Sequence, residues 1–211
     1  MFEIGFVAAT TFFAVIGPLD VTAMFAALTA GKPGRYRRTM ARRGVLVAAL
    51  ILLLFGLSGE LLLNSLGISL AALRAGGGVL LLLIGIDMVF RKASGASGTT
   101  DEEAEEAAAK DDISVFPIAT PLIAGPGAMG AVILLMAEQQ GHVEGQLIVL
   151  GAMLLVLVLT YLALVLSGGL TRLVGITAMH VVSRVFGVLL SALAVQFIFD
   201  GVLESGLIRA G

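Results

Sequence analysis

Long apolar runs alternate with short polar segments along the whole chain. Six of these runs are long enough to cross a bilayer as a helix, because a hydrocarbon core of about 30 Å needs roughly 20 apolar residues. They cover residues 3–30, 44–63, 68–90, 113–137, 146–168 and 184–206. The runs are rich in Leu, Ala, Val and Gly and show no apolar alternation with a period of two. We therefore expect helices rather than the strands of a membrane barrel.

The composition extends this prediction to the whole chain. Of the 211 residues, 58% are hydrophobic and 13% are charged, which is more apolar surface than a single soluble domain buries. The first run is too long for a signal-peptide core and has no basic segment before it, so we expect it to be retained as a span. The predicted fold is an all-α integral membrane protein with six transmembrane helices.

Basic residues are distributed unevenly between the two sides of the predicted spans. Eleven of the thirteen lysines and arginines fall between spans one and two, three and four, or five and six, counting Arg184 at the start of span six, and such residues favour the cytoplasmic side. We expect a multi-pass protein of the inner (plasma) membrane with both termini outside the cytoplasm. Arg74 and Arg184 stand at matching starts of spans three and six, where snorkelling to lipid head groups is expected.

Residues 91–112 have the composition of a linker. The segment begins with Gly and Ser residues and continues as an acidic, alanine-rich stretch, and such a composition does not build a core. We therefore divide the chain into a first three-helix repeat at 1–90, a cytoplasmic linker at 91–112 and a second three-helix repeat at 113–211, all within one membrane domain.

The two halves of the chain share short motifs in the same order. GVLL occurs at 78–81 and 187–190, LSG at 57–59 and 166–168, and PL at 18–19 and 121–122, with offsets of 109, 109 and 103 residues. This order indicates a duplication. Because each copy has three spans, the second copy must cross the membrane in the opposite sense, as in the inverted repeats of secondary transporters.

Helix-breaking residues occupy the middle of the first and fourth spans. Gly17 and Pro18 lie near the midpoint of the first span, and FPIATPLIAGPG at 116–127 surrounds the midpoint of the fourth. Proline removes an N–H group and interrupts a helix, and irregular backbone inside a bilayer is tolerated where it is buried or lines a cavity. We predict that helices 1 and 4 are broken near the bilayer midplane around a central site. A simple proline kink filled by neighbouring side chains is the alternative.

The broken helices supply the candidate substrate site. The second half of each begins with free N–H groups at a positive dipole end, and glycines in the fourth span would let a ligand approach the backbone closely. The candidate substrate-binding residues are Pro18, Asp20, Pro121, Gly125, Pro126, Gly127, Ala128 and Gln196.

Three carboxylates within the spans are candidates for ion coupling. Asp20 lies near the midplane, where a carboxylate is a functional candidate, and it could also cap a half-helix that starts at Val21. Asp87 and Asp200 lie further from the midplane, where an interfacial role is the alternative. Gln196, one turn before Asp200, is either a cavity group or a hydrogen-bonding contact between helices.

Other chemistry is not indicated by the sequence. The chain has no cysteine, and His142 and His180, both expected in loops, lack metal-ligand spacing. It contains no HExxH, GxSxG or GxxxxGK motif. We expect no metal, no cofactor, no enzymatic activity and no nucleic acid partner. The expected partners are a small zwitterionic substrate and the lipid bilayer, and the sequence does not determine the oligomeric state.

With these segments identified, the chain resembles the MarC family of inner-membrane proteins, which includes small neutral amino acid transporters. The likeness covers nearly the whole chain and is strongest in FPIATPLIAGPG at 116–127, LRAGGGVLLLLIGIDM at 73–88 and RVFGVLLSALAVQFIFDG at 184–201. The resemblance implies a six-helix transporter of glycine, alanine or similar amino acids, with possible proton or cation coupling. The first-span motif GPLDVTAMF at 17–25 departs from the family pattern, which has Asp or Asn before the proline, then Gly-Asn and a second proline.

The predicted function is secondary transport of small neutral amino acids. The substrate carboxylate is expected on the N–H groups from Gly125 to Ala128, and the ammonium on Asp20 or on unwound carbonyls at 16–18 and 121–124. The alternative is a channel or an exporter of another small solute with the same fold.

Overall fold

The computed structural model describes residues 1–90, 112–167 and 176–206. These residues form eight helices, and no strand occurs among them. In chain order the helices are α1 (Phe2–Ile16), α2 (Pro18–Leu28), α3 (Gly34–Leu66), α4 (Leu70–Phe90), α5 (Ser114–Ile123), α6 (Pro126–Glu138), α7 (Val143–Val165) and α8 (Ile176–Glu204). The all-α prediction is confirmed. The predicted linker, apart from Asp112, lies outside the described residues, and the division into two repeats stays a prediction.

Within these residues, five helical segments are long and apolar enough to cross a membrane, and a bent pair adds a sixth candidate. The five candidates are Phe2–Leu28, Gly34–Gly59, Leu70–Phe90, Val143–Val165 and Ala178–Glu204. The bent pair consists of α5 and α6, which meet at 55°. Each candidate overlaps one of the six apolar runs read from the sequence.

Two helices begin well before the apolar runs that predicted them. α3 starts at Gly34 rather than at 44, and α8 starts at Ile176 rather than at 184. Helical hydrogen bonds are made within the segment, so a helix can continue beyond its most apolar stretch. His180 therefore belongs to α8, and its prediction as a loop residue is wrong.

One face of α3 carries a row of exposed leucines. Leu46, Leu50, Leu54, Leu57 and Leu61 are each at least 62% exposed. They recur every three or four residues, which places them on one side of the helix. Such a row is unfavourable in water and suits hydrocarbon, so this face supports the assignment to a membrane.

α4 and α8 pack antiparallel along much of their length, and glycines let their backbones meet. A Cβ on Gly85 would lie 2.8 Å from the carbonyl oxygen of Gly187, and one on Gly187 would lie 3.0 Å from that of Gly85. A Cβ on Gly78 would lie 2.7 Å from the carbonyl oxygen of Ala194. Small residues at such crossings are typical of membrane helices, because they permit close packing without a hydrophobic driving force.

The turns after α2 and α6 have the same geometry. Gly31 and Gly141 have φ values of 74° and 79°, a left-handed conformation that favours glycine. The N–H of Lys32 donates to the carbonyl of Thr29 at 3.1 Å, and the N–H of His142 donates to the carbonyl of Gln139 at 2.9 Å. These turns lead into α3 and α7, the second predicted span of each half.

Candidate functional site

The first span is interrupted at Gly17. This residue has a left-handed backbone (φ 59°, ψ 59°), its N–H donates to the carbonyl of Phe13, and Pro18 is the first residue of α2. A left-handed residue ends a helix, and proline suits a first helical position because its missing N–H would have no partner there. Gly17 is the N-cap of α2, so the expectation that Asp20 caps a helix starting at Val21 is wrong.

Asp20 reaches a polar pair on α8. Its Oδ1 accepts a hydrogen bond from the Ser183 hydroxyl at 3.0 Å and lies 3.9 Å from Nδ1 of His180. The Asp20 side chain is 14% exposed. Ser183 and His180 are three residues apart on one helix, so both can face α2. A carboxylate, a hydroxyl and an imidazole thus meet beside the first interruption.

The segment before the second interruption is an irregular, wide helix. α5 contains Pro117 and Pro121, and the residue before each proline has extended backbone (φ −127° and −130°), as expected from the clash with a following proline ring. Some of its hydrogen bonds span five residues, such as the N–H of Ala124 to the carbonyl of Ala119 at 2.8 Å. The predicted cluster of helix breakers therefore forms a short irregular segment that is kinked at Phe116 and Thr120.

The second interruption lies at Gly125 and Pro126. Gly125 is the extended N-cap of α6 (φ −80°, ψ 172°), and Pro126 is its first residue. A Cβ on Gly125 would lie 2.5 Å from the carbonyl oxygen of Pro121, and one on Gly127 would lie 2.3 Å from Cδ1 of Ile84. The space beside both glycines is thus filled by α5 backbone and an α4 side chain. Ligand approach to this backbone stays a prediction.

The two interrupted segments pack across each other. α1 packs against α6, and α2 packs against α5, which is the pairing expected of two antiparallel spans that cross near their middles. Pro18 and Ala128 are buried, Pro121 is half-buried and Pro126 is exposed. The candidate residues of the two segments are therefore brought into the same part of the bundle.

The remaining candidates lie on α4 and α8. Gln196 Nε2 donates to Oδ1 of Asp200 at 2.8 Å, one turn further along the same helix. Gln196 and Asp87 are exposed, and Asp200 is half-buried. In the described part of the chain, Gln196 thus bonds within its own helix. The roles proposed for these three residues in binding or coupling stay predictions.

An ion-pair cluster that the sequence reasoning missed joins α4, α6 and α8. Arg74 Nε lies 3.1 Å from Oε1 of Glu138, and its Nη1 lies 2.5 Å from Oε2 of Glu204. The Arg74 guanidinium thus binds two carboxylates of the protein itself, and its extension to lipid head groups stays a prediction. The partners are 64 and 130 positions away in the chain, so no local pattern could have revealed them.

The five or six apolar helical spans define a multi-pass integral membrane protein. A family model described as "MarC family integral membrane protein" matches residues 2–205. The chain belongs to the MarC family, and the resemblance found in the sequence is confirmed.

Relatives occur in archaea and bacteria. A UPF0056 membrane protein of Methanocaldococcus jannaschii is 37% identical over 193 residues, which are 92% of this chain and 93% of the relative. YvbG of Bacillus subtilis is 32% identical over 90% of this chain and 89% of its own. The UPF0056 inner membrane protein YhgN of Escherichia coli K12 is 30% identical over 92% and 94%. No solved structure matches significantly. The names of these relatives give a membrane location and no substrate.

Proposed function

We propose that the protein is a secondary transporter of small neutral amino acids such as glycine and alanine, coupled to protons or a cation, and that it is not an enzyme. The observation that carries the proposal is the pair of Gly-Pro helix starts, Gly17–Pro18 and Gly125–Pro126, in two segments that pack across each other. Interrupted helices near the bilayer midplane form the substrate sites of inverted-repeat transporters.

The packing of α4 and α8 supports an inverted repeat. Gly78 faces Ala194, and Gly85 faces Gly187. With the sequence offset of 109, Gly78 corresponds to Gly187 and Gly85 to Ala194, so the offset converts one contact into the other. A two-fold axis between antiparallel helices produces this exchange, whereas a parallel repeat would place the two helices parallel. We infer three spans duplicated in the opposite sense, with spans one and four broken.

A zwitterionic substrate fits the charges at the two breaks. A zwitterion away from water needs a partner for each charge, because an unpaired ion there is very costly. The N–H groups of Gly127 and Ala128 lie at the positive end of the α6 dipole and suit the carboxylate. Asp20 supplies a negative charge for the ammonium, together with backbone carbonyls at 16–18 and 121–124. The prolines at both breaks limit the space and favour a small side chain.

The contacts of Asp20 support coupling to a proton or cation. Carboxylates and imidazoles inside membrane spans are the usual carriers of protons and ligands of ions in transporters. Asp20 and His180 provide one of each, 3.9 Å apart. Protonation of this pair, or a cation bound to it, would change the charge that the substrate ammonium meets at the first break.

The proposed orientation places both termini outside the cytoplasm and the basic segment 31–43 inside. The chain has no cysteine, so single cysteines can be labelled with a membrane-impermeant reagent in intact cells. We expect labelling of His142→Cys without permeabilisation and of Lys32→Cys only after it. Both positions are exposed, and the reverse pattern would overturn the orientation.

Reconstitution of the purified protein into liposomes tests the function. We expect saturable uptake and counterflow of labelled glycine or alanine, with a rate that depends on a proton or cation gradient, and none in protein-free liposomes. The alternative is a channel or an exporter of another small solute. Uptake without saturation or counterflow would indicate a channel, and failure of every amino acid in a broad panel would indicate a different solute.

A further inference from the structure

We propose that a groove between α3 and α7 binds an anionic phospholipid. A cavity of about 610 Å³ lies between the start of α3 and the end of α7. In the described part of the chain its lining includes Arg35, Arg37, Arg38 and Arg42 and no acidic residue. Guanidinium groups match phosphate oxygens in a bidentate geometry, so four of them without a carboxylate favour a phosphate ligand.

The position of these arginines on α3 strengthens the need for an anion. α3 begins at Gly34 and has no acidic residue in its first turn. The start of a helix carries a partial positive charge, which destabilises cations and stabilises anions there. Bound phosphate would therefore offset both the repulsion among the arginines and their unfavourable interaction with the helix dipole.

Arg37 is held in place at this cavity. Its Nη2 donates to the hydroxyl of Ser167 at 2.5 Å, and its Nε is buried without a hydrogen-bond partner among the described residues. The neighbouring Arg43 differs, because it pairs with Asp112 at 3.2 Å and does not line the cavity. The arginines of the cavity and the neutralised Arg43 thus lie close together on one helix.

An apolar groove continues from the basic cavity. It has a volume of about 320 Å³, and its apolar lining consists of Val45, Leu46, Ala49, Leu154, Leu157 and Val158. Arg42 and Tyr161 line both spaces, which makes them contiguous. A phospholipid has this sequence of properties, with a phosphate head group followed by an acyl chain. A free phosphate would use only the basic part.

The border between the two spaces coincides with the edge of an apolar span. The polar start of α3 ends at Arg43, and its apolar run follows from Gly44. Arg42 and Tyr161 therefore belong where hydrocarbon meets the head groups, a level at which tyrosine is enriched. Basic clusters at the cytoplasmic face attract anionic lipids, and the loop charges predict that this end of α3 is cytoplasmic.

Native mass spectrometry of the purified full chain tests the proposal with two lipids of identical acyl chains. We expect phosphatidylglycerol to bind at least tenfold more tightly than phosphatidylcholine. The double variant Arg38→Gln/Arg42→Gln should lower the affinity for phosphatidylglycerol roughly thirtyfold, which corresponds to about 1 kcal/mol for each basic contact. Arg43→Gln removes a charge from the adjacent position and should change this affinity less than about twofold.

Two further measurements distinguish a bound phospholipid from a bound soluble anion. Ala49→Phe narrows the apolar groove and should weaken phosphatidylglycerol binding at least fivefold. Inorganic phosphate at millimolar concentration should not displace the lipid. Arg38 and Arg42 are exposed, so their substitution should leave the fold intact, and Arg38→Lys/Arg42→Lys, which keeps the charge but loses the bidentate geometry, should recover only part of the affinity.

Four outcomes would overturn the proposal. Equal affinity for the two lipids would exclude recognition of the head group charge, and an equal loss in Arg43→Gln would show that only net charge matters. Displacement by inorganic phosphate would assign the cavity to a soluble anion. Unchanged binding by Ala49→Phe would remove the acyl chain from the groove.

Discussion

The helices that follow the first and second interruptions (the first and second breaks) begin in the same way. Gly17–Pro18 starts α2 and Gly125–Pro126 starts α6, and a left-handed glycine turn follows each helix. These dipeptides are 108 positions apart, close to the offset of 109 in the other repeated motifs. In the proposed repeat, Pro126 is therefore the counterpart of Pro18, whereas the matching PL motifs pair Pro18 with Pro121.

The chemistry around the two breaks differs. Asp20 and Ala128 both occupy the third helical position after a break, but Asp20 bonds Ser183 and lies near His180, whereas Ala128 is 1% exposed in an apolar setting. A carboxylate in the first turn partly neutralises a helix start, and α6 has no acidic residue there. We infer that the two breaks bind different groups: the first binds cationic groups, and the second binds the substrate carboxylate.

The two breaks also contact the α4–α8 pair at different positions along its length. Asp20 contacts Ser183 on α8, and Gly127 contacts Ile84 on α4. A perfect two-fold axis would instead bring the first break to Leu193, the α8 residue that corresponds to Ile84. Leu193 lies roughly 15 Å along the helix from Ser183 at 1.5 Å per residue. If the proposed inverted repeat is correct, exchange of these two unequal arrangements would produce alternating access.

Removal of the charge at the first break should have the largest effect. Asp20→Asn keeps the size and the hydrogen bond with Ser183 but loses the negative charge, so we expect the initial rate of uptake in liposomes to fall roughly hundredfold, about 2.8 kcal/mol. Asp112→Asn, an exposed charge change outside the site, should leave the rate within about twofold. Wild-type uptake with an unchanged pH profile in Asp20→Asn would contradict the role given to the first break.

The two glycines before the prolines should differ in their tolerance of alanine. Gly125→Ala places a Cβ 2.5 Å from a backbone oxygen of α5, and such overpacking costs roughly 1–3 kcal/mol or more. Gly17→Ala places alanine in a left-handed conformation, which costs about 1–2 kcal/mol. Unfolding in detergent measures both, and Gly151→Ala in α7, with nothing within 4 Å of its Cβ, is the control for a Gly→Ala change without a clash, expected to stabilise by up to about 1 kcal/mol. A larger loss of stability for Gly17→Ala than for Gly125→Ala would show that the α5 backbone moves to make room for the new Cβ.

The hydroxyl that binds Asp20 should have a smaller effect on transport. Ser183→Ala removes one hydrogen bond to the carboxylate, and we expect about a fivefold loss of transport efficiency, near 1 kcal/mol. Ser191→Ala is a matched control, because this hydroxyl lies on the same helix and donates to the carbonyl of Gly187 at 2.8 Å. Equal losses in the two variants would mean that Ser183 acts through helix packing alone.

The smallest effect, on the pH dependence of stability, is expected at the start of α5, the irregular helix before the second break. The hydroxyl and N–H of Ser114, with Arg43, hold the pKa of Asp112 below its ordinary value. The resulting stability is present above the ordinary pKa and is lost as the pH falls through it toward the folded value. Because the side chain is 51% exposed, we expect less than about 1 kcal/mol. Unfolding of Asp112→Asn should depend less on pH below about pH 5, and an unchanged pH dependence would exclude this contribution.

The sequence by itself determined the membrane class, the six apolar segments and the Gly-Pro positions at which α2 and α6 begin. These features follow from local physics, because the hydrocarbon thickness sets the length of a span and proline and glycine act on their own backbone. The same local logic failed at the ends of α3 and α8, since a helix does not stop where its apolar run stops. Local reasoning also failed when it predicted Asp20 as a helix cap, because Gly17 is the N-cap of α2.

Only the tertiary structure decided which side chains meet. Ser183 reaches Asp20 across 163 positions, Arg74 reaches Glu204 across 130, and Arg37 reaches Ser167 across 130. In a chain this apolar, hydropathy gives each helix several nearly equivalent faces, so the pattern cannot specify the neighbours. The neighbours are instead determined by close backbone contacts, such as Gly85 with Gly187. They are also determined by the few polar groups, because a buried polar group requires a partner, which here is distant in sequence.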